Sequence, residues 1–468
     1  MNDTPKPTLK DLLDRGAKLY AAGNSPAAAG VYRAALKIAP KDPTVRLRHA
    51  IAIWHGEDRS EDALREIRSL AKEYPQAAVL AHEALILNSL GRFEEAAIAA
   101  RGAIDADPNY SSAWLDLATA SAKDAAPALA DELRTAISKR PDAKIARDLQ
   151  YALAQTLRKL DDEDGAFLAC SEGNRLSQNR WEAKREGGTH TLLKTVFDAA
   201  LLQRLQGQGS PDERMIFVSG MPRSGTTLLD RLLSAHPVIH SVGETTAIGN
   251  LFNHLFAQTG KTASGANAAL NGPVLQQMAT AYLNGIAPKL QGQRAARIID
   301  KMPANTMFWP LIALMFPRAT ILHMQRHPLG TCLSCWEASF AFGLDYATDM
   351  QTLGQAYRQY ADLTDQWKRQ LGERIQPVVY EQLVKDPETV LRKMLDRIGL
   401  PFDARCLQPD SSGPIKTASV AQARAPVGTG SLDRWREFED RLEPVAEAMG
   451  GTAWVEARWN LIKSQEIR

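Results

Sequence analysis

Residues 215–237, MIFVSGMPRSGTTLLDRLLSAHP, put Gly220, Arg223, Ser224, Gly225, Thr226 and Thr227 between a hydrophobic run and a helical pattern. Such a turn turns backbone N–H groups toward an anion at a helix N-terminus. The spacing fits the phosphate-binding pattern G-x-x-x-x-G-K-[ST] at both glycines and at the terminal hydroxyl, Thr227, but Thr226 stands where the lysine belongs. That lysine reaches the β and γ phosphates beside Mg²⁺ in enzymes that move a γ-phosphoryl group. The loop can therefore cradle a phosphate, with Arg223 as an added cationic donor, while the apparatus for γ-phosphoryl transfer is incomplete.

The elements that must carry this loop follow from the runs around it. MIFVSG, RAARIIDK, ATILHMQR and RIQPVVYE are four apolar stretches that each end in polar or ionisable residues. Buried parallel strands read as continuous apolar runs, and doubly wound sheets bind ligands at the carboxyl ends of their strands. An α/β domain with a mostly parallel sheet is predicted over residues 206–468. Its chemistry should collect at 219–227, 300–305, 326–334 and 380–383.

Residues 1–205 read differently. Pro40, Pro75 and Pro108 are 35 and 33 residues apart, and Gly23 and Gly91 are 68 apart, twice 34. Each proline lies between two helical patterns, and Ala28, Ala29, Ala96 and Ala97 supply small residues for close helix packing. A period of 34 is that of the tetratricopeptide repeat, which LGRFEEAAIAA and WLDLATA also resemble. The middle repeat departs from it, with HGEDRSEDAL where a glycine corner is expected, and residues 147–177 read as a capping pair. An all-α repeat domain is predicted. Such solenoids hold peptides, buttress a neighbouring domain or self-associate, so a homodimer is one of three roles left open.

The 468 residues suit two domains, and 44% hydrophobic with 24% charged residues is ordinary for a globular protein. A net charge of +2 gives no global case for nucleic acid or membrane binding. No basic and apolar leader opens the chain and no stretch is long enough to span a bilayer, so a cytoplasmic protein is expected. Four cysteines make no disulfide scaffold, and Cys332 and Cys335 form a lone C-x-x-C expected to be structural. His323 and His327 lack a third ligand, so no metal site is expected.

On GMPRSGTTLL the second domain resembles the sulfotransferases, most nearly the tyrosylprotein sulfotransferases and bacterial relatives with tetratricopeptide repeats. The resemblance covers residues 211 to about 440. It implies that residues 223–227 hold the 5'-phosphosulfate of the donor 3'-phosphoadenosine-5'-phosphosulfate. It further implies that Arg326 and Ser334, in RHPLGTCLS, bind the 3'-phosphate. Arg424, in QARAPVGTG, would stand near that phosphate, one position from where the family's lysine aligns. The resemblance makes Glu244 in G-E-T the general base and Lys301 the catalytic lysine; His240, to which the family pattern gives no role, is a weaker alternative base. Tyr380 in YEQLV would support the donor pocket, and RWREFE at 434–439 would be a terminal anchor. Arg223 is expected to serve both binding and catalysis.

Sulfuryl transfer needs two anion sites and preorganised cations at the bridging oxygen where charge develops. A sulfuryl group starts with less anionic oxygen charge than a γ-phosphate, so the Walker lysine and a metal are dispensable. The acceptor is a hydroxyl, with a peptide or protein tyrosine favoured by the resemblance and saccharides, lipids and small alcohols as other classes. Two readings compete with this one: a repeat-type binding module with a degenerate nucleotide domain, and a small-molecule kinase on the same core. The Gly- and Ala-rich stretch 260–273 is expected to be a mobile lid.

Overall fold

The computed structural model describes residues 7–139, 141–177, 180–290, 292, 295–340, 344–408 and 428–466. Arg424 lies outside the described residues. Two compact units divide the chain, the first built mainly from residues up to Ser177.

The first unit is all-helical and repetitive. Its helices are α1 (Leu9–Ala21), α2 (Ser25–Ile38), α3 (Pro43–Gly56), α4 (Ser60–Glu73), α5 (Ala77–Leu90), α6 (Phe93–Ala106), α7 (Ser111–Ala120), α8 (Ala126–Ser138), α9 (Ala143–Lys159) and α10 (Glu163–Arg175). From α1 to α7 and from α8 to α10 neighbours in sequence pack on one another, and α5 packs on α7 and α7 on α9, the pattern of stacked helical hairpins. Pro40, Pro75 and Pro108 each fall between two hairpins, as their spacing implies. Gly23 and Gly91 have φ near 75°, and the polar corner HGEDRSEDAL keeps that backbone shape through Asp58, with φ 54°. Aspartate is one of the few side chains that visits this region, so the repeat persists without its glycine. Polar bonds join successive hairpins inside the stack: Asn88 Nδ2 donates to Asp116 Oδ1 at 3.2 Å, and Ser111 Oγ to Asp148 Oδ2 at 2.6 Å.

The second unit carries a five-stranded, wholly parallel sheet in the order β2-β3-β1-β4-β5. The strands are β1 (Met215–Gly220), β2 (Ile239–Ser241), β3 (Arg297–Lys301), β4 (Thr320–Gln325) and β5 (Ile375–Val379). Four of them are the runs read from sequence. β2 has three residues, too few for an apolar run to show. Because β3 and β4 flank β1 on opposite sides, the chain reverses its winding at β1, and a crevice opens at its carboxyl end.

Alternation along the strands sorts their side chains onto two faces. Ile216, Val218, Ile239, Ile299, Leu322 and Met324 join Leu229, Leu232 and Leu233 of α13 (Thr226–Ser234) and the apolar side of α21 (Pro387–Ile398) in one core. On the other face Phe217 packs against Tyr282 and Phe316, and His323 against Trp309.

Two expectations change. Helices α11 (Ala183–Val196) and α12 (Ala199–Leu205) group with the second unit rather than with the repeats, so the division falls near residue 178 instead of 205. The reason is packing: α11 lies on α15 (Ala263–Ala269) and α19 (Met350–Leu371), and α12 on α17 (Trp309–Met315). Stretch 260–273, read as a lid, has regular structure. It forms α15, capped by Thr262 Oγ1 accepting from Gly265 N at 3.1 Å, and Asn267 Nδ2 pins it to Val196 O at 2.8 Å.

Candidate active site

The turn after β1 is held from three sides. Its corner residue Arg223 adopts φ 68°, rare for a side chain that is not glycine, and Gly225 takes φ 107° as the N-cap of α13. For Arg223 that conformation costs on the order of 1–3 kcal/mol and persists where surroundings enforce it. A Cβ at Gly225 would stand 2.5 Å from the Tyr380 ring, so the aromatic packs directly on the loop backbone. Cys335 Sγ donates to Pro222 O at 3.2 Å. From the opposite face of the sheet the Tyr360 hydroxyl accepts the Met221 N–H and lies 2.6 Å from His323 Nε2. Burial holds His323 well below its usual range, hence neutral. Below it, Trp309 Nε1 donates to Ser219 Oγ at 2.7 Å.

Arg223, Ser334, Arg326 and Tyr380 converge on this turn. Arg223 Nε donates to Ser334 Oγ at 3.0 Å, and Arg326 Nη1 reaches Arg223 O at 3.4 Å. The Arg326 guanidinium lies over the Tyr380 ring, 4.7 Å from its centroid. Ser224 is buried and its Oγ has no protein partner, while a Cβ at Gly220 would lie 2.8 Å from it. A hydroxyl kept dry without a partner, inside a turn rimmed by guanidinium groups, fits an anion. Thr226 and Thr227 begin α13 and offer its first amides.

Lys301 ends β3 and shares the face of Ile299, turned toward α13. It is 2% exposed, although a lysine in that sequence could equally have been a surface one. Its Nζ lies 2.5 Å from Oε1 of Glu244, whose side chain is 44% exposed. Glu244 is delivered by a turn in which Gly243 has φ 64°, Gly243 O accepts from Lys301 N at 3.1 Å, and Gly243 N donates to Ser241 Oγ at 3.0 Å. Base and lysine candidates, 57 residues apart, are thus in contact. Asp300, one residue earlier, faces away and accepts from Tyr282 OH at 2.6 Å and Asn305 Nδ2 at 3.2 Å.

The weaker signals resolve into structure. Glu381, the acid of YEQLV, accepts from His327 N at 2.9 Å and so fixes the start of α18 (Pro328–Trp336), which carries Ser334. His327 stacks on Trp435 with centroids 4.0 Å apart, and Arg434 pairs with Glu337 at 2.6 Å, which makes RWREFE a buttress of the same helix. Burial pushes the Cys335 thiol up to about 12 and Cys332 well above the usual range, as for inert core thiols. Among the described residues no cluster of three His, Cys, Asp or Glu side chains could hold a metal ion, and no helix is long and apolar enough to cross a membrane.

Sequence reasoning missed Tyr360, His323 as its partner, Ser241 and Asp230. Asp230 stood in plain view in TTLLDRLLSAHP, on the polar stripe of α13, but nothing in its spacing tied it to Lys301.

A model of the sulfotransferase family matches residues 215–404. An uncharacterised protein of Aquifex aeolicus is 32% identical over 64% of this chain and 41% of its own length. Protein-tyrosine sulfotransferase A of Caenorhabditis elegans is 28% identical over 47% of this chain and 60% of its own. The chain spans about half the length of the curated relatives it matches. Among solved structures, the sulfotransferase domain of the Synechococcus PCC 7002 olefin synthase aligns at 22% identity and TM-score 0.36 over 49% of this chain and 88% of its own. The loop of residues 220–227 stands at the end of a central parallel strand, and the stretch that matches the sulfotransferase family model, residues 215–404, spans the five strands of that sheet.

Proposed function

We propose that the protein transfers a sulfuryl group from 3'-phosphoadenosine-5'-phosphosulfate to a hydroxyl acceptor, without a metal. The observation that carries this reading is the junction of two anion-binding elements, the turn 220–227 and the Arg326–Ser334 segment, through the Arg223–Ser334 hydrogen bond. A donor with a 5'-phosphosulfate and a 3'-phosphate needs two such elements side by side.

In this reading Ser224, Thr226, Thr227 and the amide of Gly225 bind the 5' group, and Arg326 and Ser334 the 3'-phosphate, with Tyr380 holding Arg326 in place. Arg424 is assigned to the same phosphate by the resemblance alone. The acceptor oxygen attacks sulfur, the bond from sulfur to the bridging oxygen breaks, and its electron pair leaves with the bisphosphate. Lys301 and Arg223 offset the charge growing there. Glu244 takes the acceptor proton. The exposure of Glu244 beside buried Lys301 supports this division, since the base must meet an incoming acceptor while the lysine stays with the donor.

A peptide tyrosine is the first acceptor class to test, as the name of the Caenorhabditis elegans relative suggests. We assign the repeats to acceptor recognition and place the protein in the cytoplasm. Calorimetry tests the donor: the 3',5'-bisphosphate should bind in EDTA, and tighter binding of Mg–ATP in a parallel titration with Mg²⁺ and no chelator would sink the reading.

A further inference from the structure

We infer that Asp230 is a positioning residue of the transfer site, a second carboxylate that braces the Glu244 turn through Ser241 and competes with Glu244 for Lys301. The inference rests on the proposed role of Glu244 as the base.

The argument starts from the sheet face. Ile239 lies in the core beneath α13, so two-residue alternation puts Ser241 on that side and His240 on the other. Ile299 lies in the same core, which places Lys301 there as well. Asp230, one helical turn before Ser234 on α13, is therefore on the helix directly above both strand ends.

The bonds form a closed path. Ser234 Oγ donates to Asp230 Oδ1 at 3.3 Å, and Ser241 makes a side-chain hydrogen bond to the same carboxylate. Ser241 Oγ accepts from Gly243 N at 3.0 Å, Gly243 O accepts from Lys301 N, and Lys301 Nζ meets Glu244. The serine hydroxyl is the hinge: with its proton given to Asp230, its lone pair is aimed at Gly243 N, so Asp230 sets which way the turn bearing Glu244 faces. Gly243 alone can hold that turn at φ 64° without strain, and a flexible residue at that point needs an outside brace.

Other charges near α13 have partners elsewhere. The helix packs against β1, β2, β3 and the turn Ala404–Leu407. β1 has no ionisable side chain and His240 of β2 belongs to the opposite face. On β3, Arg297 donates to Ile398 O at 2.8 Å and Asp300 is bound by Tyr282, while Arg405 of the turn pairs with Asp403 at 2.7 Å. On α13 itself Arg231 projects about 100° around the helix from Asp230. Lys301 and Glu244 are the charges that act on Asp230, the first favouring its ionised form and the second opposing it, while burial raises it overall. One ammonium between two carboxylates is a divided partner: what Asp230 takes of it, Glu244 loses.

The test is the pH dependence of kcat/KM in the full-length protein, with the phosphosulfate donor saturating and a phenolic acceptor varied. Asp230→Asn keeps an oxygen for Ser241 but removes the carboxylate that shares Lys301 with Glu244, so the acid limb should move to lower pH by roughly one unit. Asp230→Glu should restore the wild-type limb. Ser241→Ala should lower kcat about tenfold through the loosened turn, with bisphosphate affinity within twofold of wild type and the limb in place. Superimposed limbs for wild type and Asp230→Asn, with the limb abolished in Glu244→Gln, overturn the role of Asp230 and leave the base standing. A limb that survives in Glu244→Gln overturns both.

Discussion

Arg223 Nε donates to Ser334 Oγ at 3.0 Å across 111 residues of sequence, and this bond ties the corner of the turn to the helix that follows β4. Arg223 is the residue with φ 68°, so its side chain helps to hold the backbone strain of its own turn. Occupancy of either of the two proposed anion sites should stiffen the other, because both share this pair.

If Arg326 binds the 3'-phosphate as proposed, Arg326→Ala removes charge-assisted bonds to it. Donor affinity should fall by about 1.5–3 kcal/mol. Adenosine-5'-phosphosulfate, which lacks that phosphate, should bind wild type weakly and scarcely notice the change. Equal losses for both ligands in titration calorimetry would assign Arg326 to the fold or to the other phosphate.

Glu244→Gln keeps the shape of the side chain and its contact with Lys301 but accepts no proton. Turnover should fall about 10²–10⁴-fold with donor affinity little changed. Turnover retained in the glutamine variant would move the base to His240 or to an already ionised phenol.

Burial raises the Asp116 carboxyl from 3.8 to about 7, between α5 and α9 of the repeats. An acid whose folded value exceeds its unfolded one binds its proton more tightly when folded. Stability of the repeats should therefore be greatest below about pH 4 as far as this group is concerned, and decline as the pH rises toward 7 and just beyond. Asp116→Asn, which can still accept from Asn88, should raise the melting temperature at pH 8 and leave it nearly unchanged at pH 4.5. A variant less stable than wild type at pH 8 would show that the ionised form is tolerated.

A chain beginning at residue 180 should fold and bind bisphosphate, whereas one beginning at 206 should be poorly soluble. The shorter chain lacks α11 and α12, which bury Leu193, Val196, Phe197, Leu201 and Leu205 within the second unit. If the repeats recognise the acceptor, the chain from 180 should lose rate toward long peptides but not toward a small phenol, since remote contacts contribute to kcat/KM. Equal rates on both would leave dimerisation or support as the role of the repeats.

What the sequence disclosed and what it hid divide along physical lines. The repeat period, the four longer strands and the turn 220–227 were legible because each is a local pattern: a period, an apolar run, a spaced pair of glycines. The extent of the second unit was not, since α11 and α12 carry ordinary amphipathic patterns that say nothing about which neighbour they cover. Stretch 260–273 read as a lid because small residues suggest mobility, yet Thr262 and Asn267 supply the caps that hold α15. His323 and Tyr360 meet across 37 residues, and Asp230 on α13 meets Ser241 on β2, so only the fold brings these groups together. Asp58 shows the reverse: an apparent break in the repeat kept its backbone shape with a different residue.

Asp300 and Lys301 stand side by side in the chain and serve opposite faces of the sheet, one bound to Tyr282 and the other to Glu244. The sign of the charge at the site is thus written in the parity of β3. A one-residue slip of this strand would exchange the faces of the two side chains, turning the aspartate toward α13 and the ammonium toward the side of Tyr282. The alignment of Val218 with Lys301 on the central strand is therefore as much a part of the chemistry as the lysine, and length changes should be tolerated in the loop before β3 only where that pairing survives.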